Sequence, residues 1–90
     1  MCGIIGYIGE KTASDILISG LSHLEYRGYD SSGVALMHGH DVDIYKASGK
    51  LINLMNILKS ERENCLKSHI GIGHIRWATH GLPTTENAHP

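Results

Sequence analysis

The second residue of the chain is a cysteine. With Met1 trimmed, that one residue would carry both a nucleophilic thiol and a free α-amine, which together make a catalytic unit. An α-amino group with a reference pKa of about 7.7 to 8.0 leaves roughly a quarter of its population unprotonated near neutrality, whereas a lysine amine at about 10.4 is almost wholly charged. The N-terminal amine is therefore the better base for a thiol whose own pKa lies near about 8.5 and whose thiolate attacks carbonyl carbons. Gly3 predicts room for a substrate, and Ile4, Ile5 and Ile8 predict a segment anchored in a core. The same residues also describe a buried strand in which Cys2 is only a small interior hydrophobe. A lipid anchor does not fit, because glycine is absent from position 2 and no apolar segment precedes the cysteine.

A second chemistry-bearing stretch lies near the other end, Arg76-Trp77-Ala78-Thr79-His80-Gly81. Arginine offers a planar fork that matches a carboxylate with two parallel hydrogen bonds, and Thr79 and His80 add donors and acceptors beside it. That set suits an amino-acid α-carboxylate. The alternative is that Arg76 pairs with a structural acid, Trp77 is core and His80 a satisfied surface residue. A third stretch, Arg27-Gly28-Tyr29-Asp30-Ser31, gathers a cation, a phenol, a carboxylate and a hydroxyl, which is either turn chemistry or a site.

The elements that must position these residues are legible from periodicity. Cys2 to Ile8 reads as a strand. Thr12 and Asp15 resemble a capping box, and Ile16, Leu17, Leu21 and Leu24 form one stripe, predicting a helix from about Ala13 to Glu25. Gly33 to Met37 and Val42 to Ala47 predict an antiparallel hairpin around His38-Gly39-His40-Asp41. Leu51, Leu54, Met55 and Leu58 predict a helix from about Lys50 to Ser60 capped by Ser48, with the stripe read as core. Glu61 to Lys67 reads as a polar connector holding an ordinary thiol, Cys65. His69 to Arg76 alternates as a strand whose Gly71 and Gly73 predict the close approach of a backbone or a ligand. From Trp77 onward the chain reads as loop, ending in Asn87-Ala88-His89-Pro90.

Composition narrows the function classes. Ninety residues make at most one small domain with a thin core. A net charge of -1 offers no general attraction to nucleic acid. The longest apolar run, Val34 to Met37, is far below the roughly 20 residues needed to span a bilayer, and there is no leader, so a cytoplasmic protein without a membrane partner is expected. Two cysteines without export or CxxC spacing predict no structural disulfide. The seven histidines are scattered, so no metal or other cofactor is expected, and His38-Gly39-His40 is placed at a solvated hairpin tip.

Three separated stretches together resemble one family. Met1-Cys2-Gly3-Ile4-Ile5-Gly6, Leu24-Glu25-Tyr26-Arg27-Gly28-Tyr29-Asp30-Ser31-Ser32-Gly33 and His74-Ile75-Arg76-Trp77-Ala78-Thr79-His80-Gly81 resemble the class II glutamine amidotransferases, whose fold is the αββα sandwich of N-terminal nucleophile hydrolases. The second and third stretches, with the closing Asn-Ala-His-Pro, resemble the isomerising branch that uses fructose 6-phosphate as acceptor and yields glucosamine 6-phosphate. Amidophosphoribosyltransferases usually show a His-Arg-Gly-Gln variant in the middle stretch.

The resemblance implies an α+β chain holding only the first strands and two helices of the sandwich. Residues 1–90 would be the N-terminal portion of a glutaminase domain, without the isomerase domain. It implies Cys2 as the nucleophile on the glutamine amide, its α-amino group as proton shuttle, and a γ-glutamyl thioester opened by water. It implies Arg76 as clamp on the glutamine α-carboxylate, Thr79 and His80 lining the pocket, Trp77 closing the site and gating ammonia, and Arg27 supporting the nucleophile loop. In the family, the asparagine-glycine donors to the oxyanion and the acid that holds the substrate amine lie beyond position 90. Little activity is therefore expected of the chain alone, with self-association through exposed strand edges. The rival readings are a non-catalytic remnant or binding module of the same fold, and another class II amidotransferase with a different acceptor.

Overall fold

The computed structural model describes residues 3–24 and 31–76. Its elements run β1 (Gly3–Ile8), α1 (Ala13–Leu24), β2 (Ser31–His38), β3 (Asp41–Ser48), α2 (Leu51–Ser60), a single turn α3 (Arg62–Cys65) and β4 (Ile70–Arg76). The strands form one four-stranded sheet in the order β1-β4-β2-β3, with every neighbouring pair antiparallel. The last strand thus enters between the first and the second. β1 and β2 are parallel to each other across the gap that β4 fills, and such strands need a long crossover, which α1 supplies.

Both long helices cover the same face. Leu17 and Leu21 of α1 and Leu51, Leu54 and Leu58 of α2 are buried against Val34, Leu36, Ala47 and Ile75 of the sheet. Each fully buried leucine contributes about 1.5–3 kcal/mol relative to exposure. Met55, expected in the α2 stripe, is 41% exposed instead, because the stripe that meets the sheet is Leu51, Leu54 and Leu58.

The close approach predicted at Gly71 and Gly73 comes from packing. A Cβ at Gly71 would lie 2.7 Å from the Ala35 carbonyl oxygen and 3.0 Å from Leu17 Cδ1, and one at Gly73 would lie 3.1 Å from Leu21 Cδ1. Gly3 is similar: the space expected for a substrate is occupied on the helix side by Leu24, 2.7 Å from the missing Cβ.

Strand alternation splits the residues that were expected to share one core. Ile5 packs toward the helices, whereas Ile4 and Ile8 on β1, Ile70 and Ile72 on β4, and Val42 and Ile44 on β3 are exposed on the opposite face. This face is open and largely apolar. Its exposed hydrophobic side chains form a continuous patch of the kind that marks a docking surface in a larger protein.

Several local expectations change for tertiary reasons. The hairpin is longer than expected: Ser31 already belongs to β2, and a two-residue turn at Gly39 (φ 59°) and His40 closes it. Glycine at the first central position with positive φ suits the mirror-image turns that match strand twist. At its end His38 Nε2 lies 2.8 Å from Asp43 Oδ2. Ser48 ends β3 and is not the cap of α2. Lys50 is in the cap position without a side-chain bond, and Asn53 Nδ2 donates to the Ser48 carbonyl at 3.0 Å. Asp15 does not close a capping box within α1; its carboxylate takes two bonds from Arg62, 2.6 and 3.1 Å long. The first α1 N–H, on Ala13, donates to the Ser68 carbonyl at 3.0 Å. Cys65 lies in α3 rather than a polar connector, 1% exposed in the core.

Candidate active site

Of the residues expected to do chemistry, Arg76 lies within the described part, half-buried at the C-terminal end of β4. Cys2, Arg27, Trp77, Thr79 and His80 lie outside the described residues. What the fold does settle is where their segments attach. Gly3, the residue after Cys2, pairs with Ile75, the residue before Arg76. Ser31, the residue that follows the Arg27–Asp30 stretch, pairs with Arg76, and Ser32 pairs with Ile75. All three motif-bearing segments therefore join the sheet at one end, on three adjacent strands. Neighbouring strands lie about 4.7–4.9 Å apart, so the attachment points Gly3, Ile75 and Ser32 span about 10 Å.

Alternation and pairing add His74, which motif reading alone did not single out, and place Ser31 of the third stretch. Side chains at 74 and 76 share a face, so His74 lies on the open face with Arg76, paired to Ile4 on β1 and Gly33 on β2. Ser31, directly opposite Arg76, is 2% exposed. The period of two in His74-Ile75-Arg76 could have shown the first. The second needed the pairing of β2 with β4.

Other titratable groups lie elsewhere. Arg62 holds the Asp15 carboxyl below the usual carboxylate range, chiefly by hydrogen bonding, with burial acting the other way. Burial pushes the Cys65 thiol up, partly opposed by the neighbouring Ser14 hydroxyl. A buried thiol of raised pKa is inert, unlike an activated nucleophile. A hollow of about 560 Å³ between α1 and α2, lined by Ser14, Ile18, Met55 and Lys59 among others, belongs to the helix layer rather than to the open face that carries Arg76. Among the described residues no three His, Cys, Asp or Glu side chains gather as a cation would require, and no helix is long and apolar enough to cross a membrane.

Comparison with known proteins agrees with the three motifs. The chain is 57% identical over 90 residues to the glutamine–fructose-6-phosphate aminotransferase (isomerizing) of Clostridium acetobutylicum, and 58% identical over 90 residues to that of Methanosarcina mazei. In both cases all of this chain is matched, and it spans 14% of the relative's length. No family model matches. Among solved structures, the chain resembles the glutamine phosphoribosylpyrophosphate amidotransferase of B. subtilis complexed with ADP and GMP, with a TM-score of 0.75 and 26% identity. It also resembles a structure described as the allosteric regulatory enzyme of purine biosynthesis, with a TM-score of 0.78 and 27% identity. Each match covers 100% of this chain and 18% of the other. The α+β fold is that of the N-terminal nucleophile sandwich, represented here by one of its sheets and the helices that cover it.

Proposed function

We propose, for a chain that belongs by sequence with the opening segment of the isomerizing glutamine–fructose-6-phosphate aminotransferases, that it carries the nucleophile and the carboxylate clamp of a glutaminase site. Residues 1–90 are the N-terminal portion of that domain, working in the cytoplasm with the rest of the glutaminase domain and an isomerase domain. The observation that carries this reading is the meeting of three motif segments at one end of the sheet, through Gly3 with Ile75 and Ser31 with Arg76. The open apolar face supports the domain assignment: Ile8 at 76% and Ile44 at 55% exposure are what a sheet missing its partner layer presents.

The chemistry runs as follows. With Met1 removed, the Cys2 α-amine takes the thiol proton, and the thiolate adds to the side-chain amide carbon of glutamine. The C–N bond breaks as the α-ammonium returns the proton to the leaving nitrogen, releasing ammonia and leaving a γ-glutamyl thioester. The same amine then takes a proton from water, whose oxygen opens the thioester to glutamate and restores the thiol. Arg76 grips the α-carboxylate, Thr79 and His80 line the pocket, Trp77 closes it, and Arg27 supports the nucleophile. The ammonia passes to fructose 6-phosphate in the isomerase domain, giving glucosamine 6-phosphate.

The test uses the full-length enzyme that opens with this sequence. Cys2→Ser should abolish glutamate release, and 6-diazo-5-oxonorleucine, a glutamine-like electrophile, should label Cys2. Retention of an uncleaved Met1 should abolish both. An enzyme that releases glutamate normally as Cys2→Ser, or that leaves Cys2 unlabelled after Met1 removal, would refute the proposal. The unlabelled outcome would favour a non-catalytic remnant.

A further inference from the structure

The hollow between α1 and α2 plays no part in the glutaminase reading, and its two ends differ in chemistry. α1 returns from β1 to β2 and α2 returns from β3 to β4, so the two helices run in opposite directions over the sheet. Arg62, two residues beyond the end of α2, donates to Asp15 in the first turn of α1 at 2.6 Å, which fixes the start of one helix beside the end of the other. The result is a trough. Asp15, Lys59 and Arg62 stand at this end, and Ile18, Ile52 and Met55 line the remainder.

Charge and size together select an occupant. Asp15 and Arg62 neutralise one another, which leaves the Lys59 ammonium as the uncompensated charge on the lining. Among the described residues no acid forms an ion pair with Lys59. At the other end Ile52 is 51% and Met55 41% exposed, so apolar surface that favours burial faces water there. The volume of about 560 Å³ falls within the range of about 300–1,000 Å³ that small-molecule sites occupy. From Ile52 to Lys59 the trough follows two turns of α2, about 10 Å. That is short for a docked helix, which ordinarily runs about three to four turns. It matches an extended alkyl chain of about eight carbons with bonds of about 1.5 Å.

We propose that the trough binds a soluble amphiphile of medium length, its apolar chain along Ile18, Ile52 and Met55 and its carboxylate head at Lys59. The site lies in the helix layer, away from the open face that carries Arg76, and does not depend on the chemistry of Cys2.

Isothermal titration of the full-length enzyme with hexanoate, octanoate and octan-1-ol tests this. Each buried methylene tightens binding about fourfold, so octanoate should bind about 15-fold tighter than hexanoate. A solvent-exposed ion pair is weak, so octanoate should bind about three- to fivefold tighter than octan-1-ol. Lys59→Ala should remove that preference and leave the alcohol's affinity unchanged. Met55→Trp puts a bulky ring into the trough from an exposed position and should weaken octanoate more than tenfold. Should that variant fail to fold, Ile52→Gln, which makes the apolar end polar, should weaken it at least threefold. Glutamine turnover should stay within about twofold in every variant, which separates failure of this proposal from failure of the glutaminase reading. No saturable octanoate binding, undiminished binding in Met55→Trp and Ile52→Gln, or a preference over the alcohol that survives Lys59→Ala would overturn the assignment. Sedimentation with phosphatidylglycerol vesicles in the absence of any octanoate binding would assign the trough to a membrane surface and equally overturn it.

Discussion

Gly71→Ala and Gly73→Ala test whether the glycines of β4 are there for packing. The two positions share a strand and a face, and both lie beneath α1. They differ in what a methyl would meet. At Gly71 it would lie 2.7 Å from the Ala35 carbonyl oxygen, 2.9 Å from Leu36 Cδ2 and 3.0 Å from Leu17 Cδ1. The first is backbone in a paired strand, and both leucines are at most 1% exposed, so none of the three has space to retreat into. Overpacking of this kind costs about 1–3 kcal/mol, and the immovable carbonyl places Gly71 near the top of that range. Replacing glycine by alanine returns about 0.4–1 kcal/mol by restricting the unfolded chain, leaving a net loss of about 2 kcal/mol. At Gly73 the contacts are longer, 3.1–3.4 Å, and none is to backbone, so a shift of a few tenths of an ångström in the Leu21 and Ile5 side chains relieves them even though Leu21 is buried, and the net loss should be below about 1 kcal/mol. Pulse proteolysis in urea on the full-length enzyme reads the difference. With a slope of about 2 kcal/mol per molar urea, Gly71→Ala should unfold about 1 M earlier than the parent and Gly73→Ala less than about 0.5 M earlier. A Gly73 variant as damaged as the Gly71 variant, or no loss in either, would refute the packing explanation.

Three further outcomes are expected. Arg62 lowers the Asp15 carboxyl, so the stabilisation it gives is present above the ordinary carboxylate pKa of about 3.9 and disappears as pH falls through the lower folded value. The stability gap between the parent and Arg62→Gln in acid denaturation should therefore close below that pH, and a gap that persists would contradict the pairing. Cys65 behaves oppositely: burial raises its pKa, so the neutral thiol contributes fully below the unfolded value of about 8.5 and loses that contribution as pH rises through the folded one. A thiol reagent should leave Cys65 unmodified in the folded enzyme at neutral pH, and rapid labelling there would refute the burial. Finally, the paired change Ile8→Glu with Ile72→Glu should keep the isolated 90-residue chain in solution longer, as light scattering would show, yet abolish folding of the full-length enzyme. An intact double variant would mean that nothing packs on this face.

Much of this architecture is legible in the sequence, because helix and strand periods are local properties. The stripe of Leu17 and Leu21, the alternation around Gly71 and Gly73, and the turn at Gly39 each declare an element from its own residues. The three motifs are local in the same way, and the resemblance they carry agrees with the relatives that the chain matches. Side-chain destinations were less legible. Asp15 had a local partner in its own helix turn and took the guanidinium of Arg62, which is 47 residues away. Cys65 sits among polar neighbours in sequence and is buried because α3 folds it under the sheet's helix layer.

The amino-acid order by itself determined which segments are strands and helices, and which residue types are available for nucleophilic and carboxylate-binding chemistry. Only the tertiary structure decided that β4 lies between β1 and β2. That placement sets Gly3 beside Ile75 and Ser31 beside Arg76, and leaves one face of the sheet uncovered by any of the described elements. Periodicity is a short-range signal carried by each segment alone. Strand order depends on how both crossover helices bury their apolar stripes on one face, a long-range balance that no single segment contains.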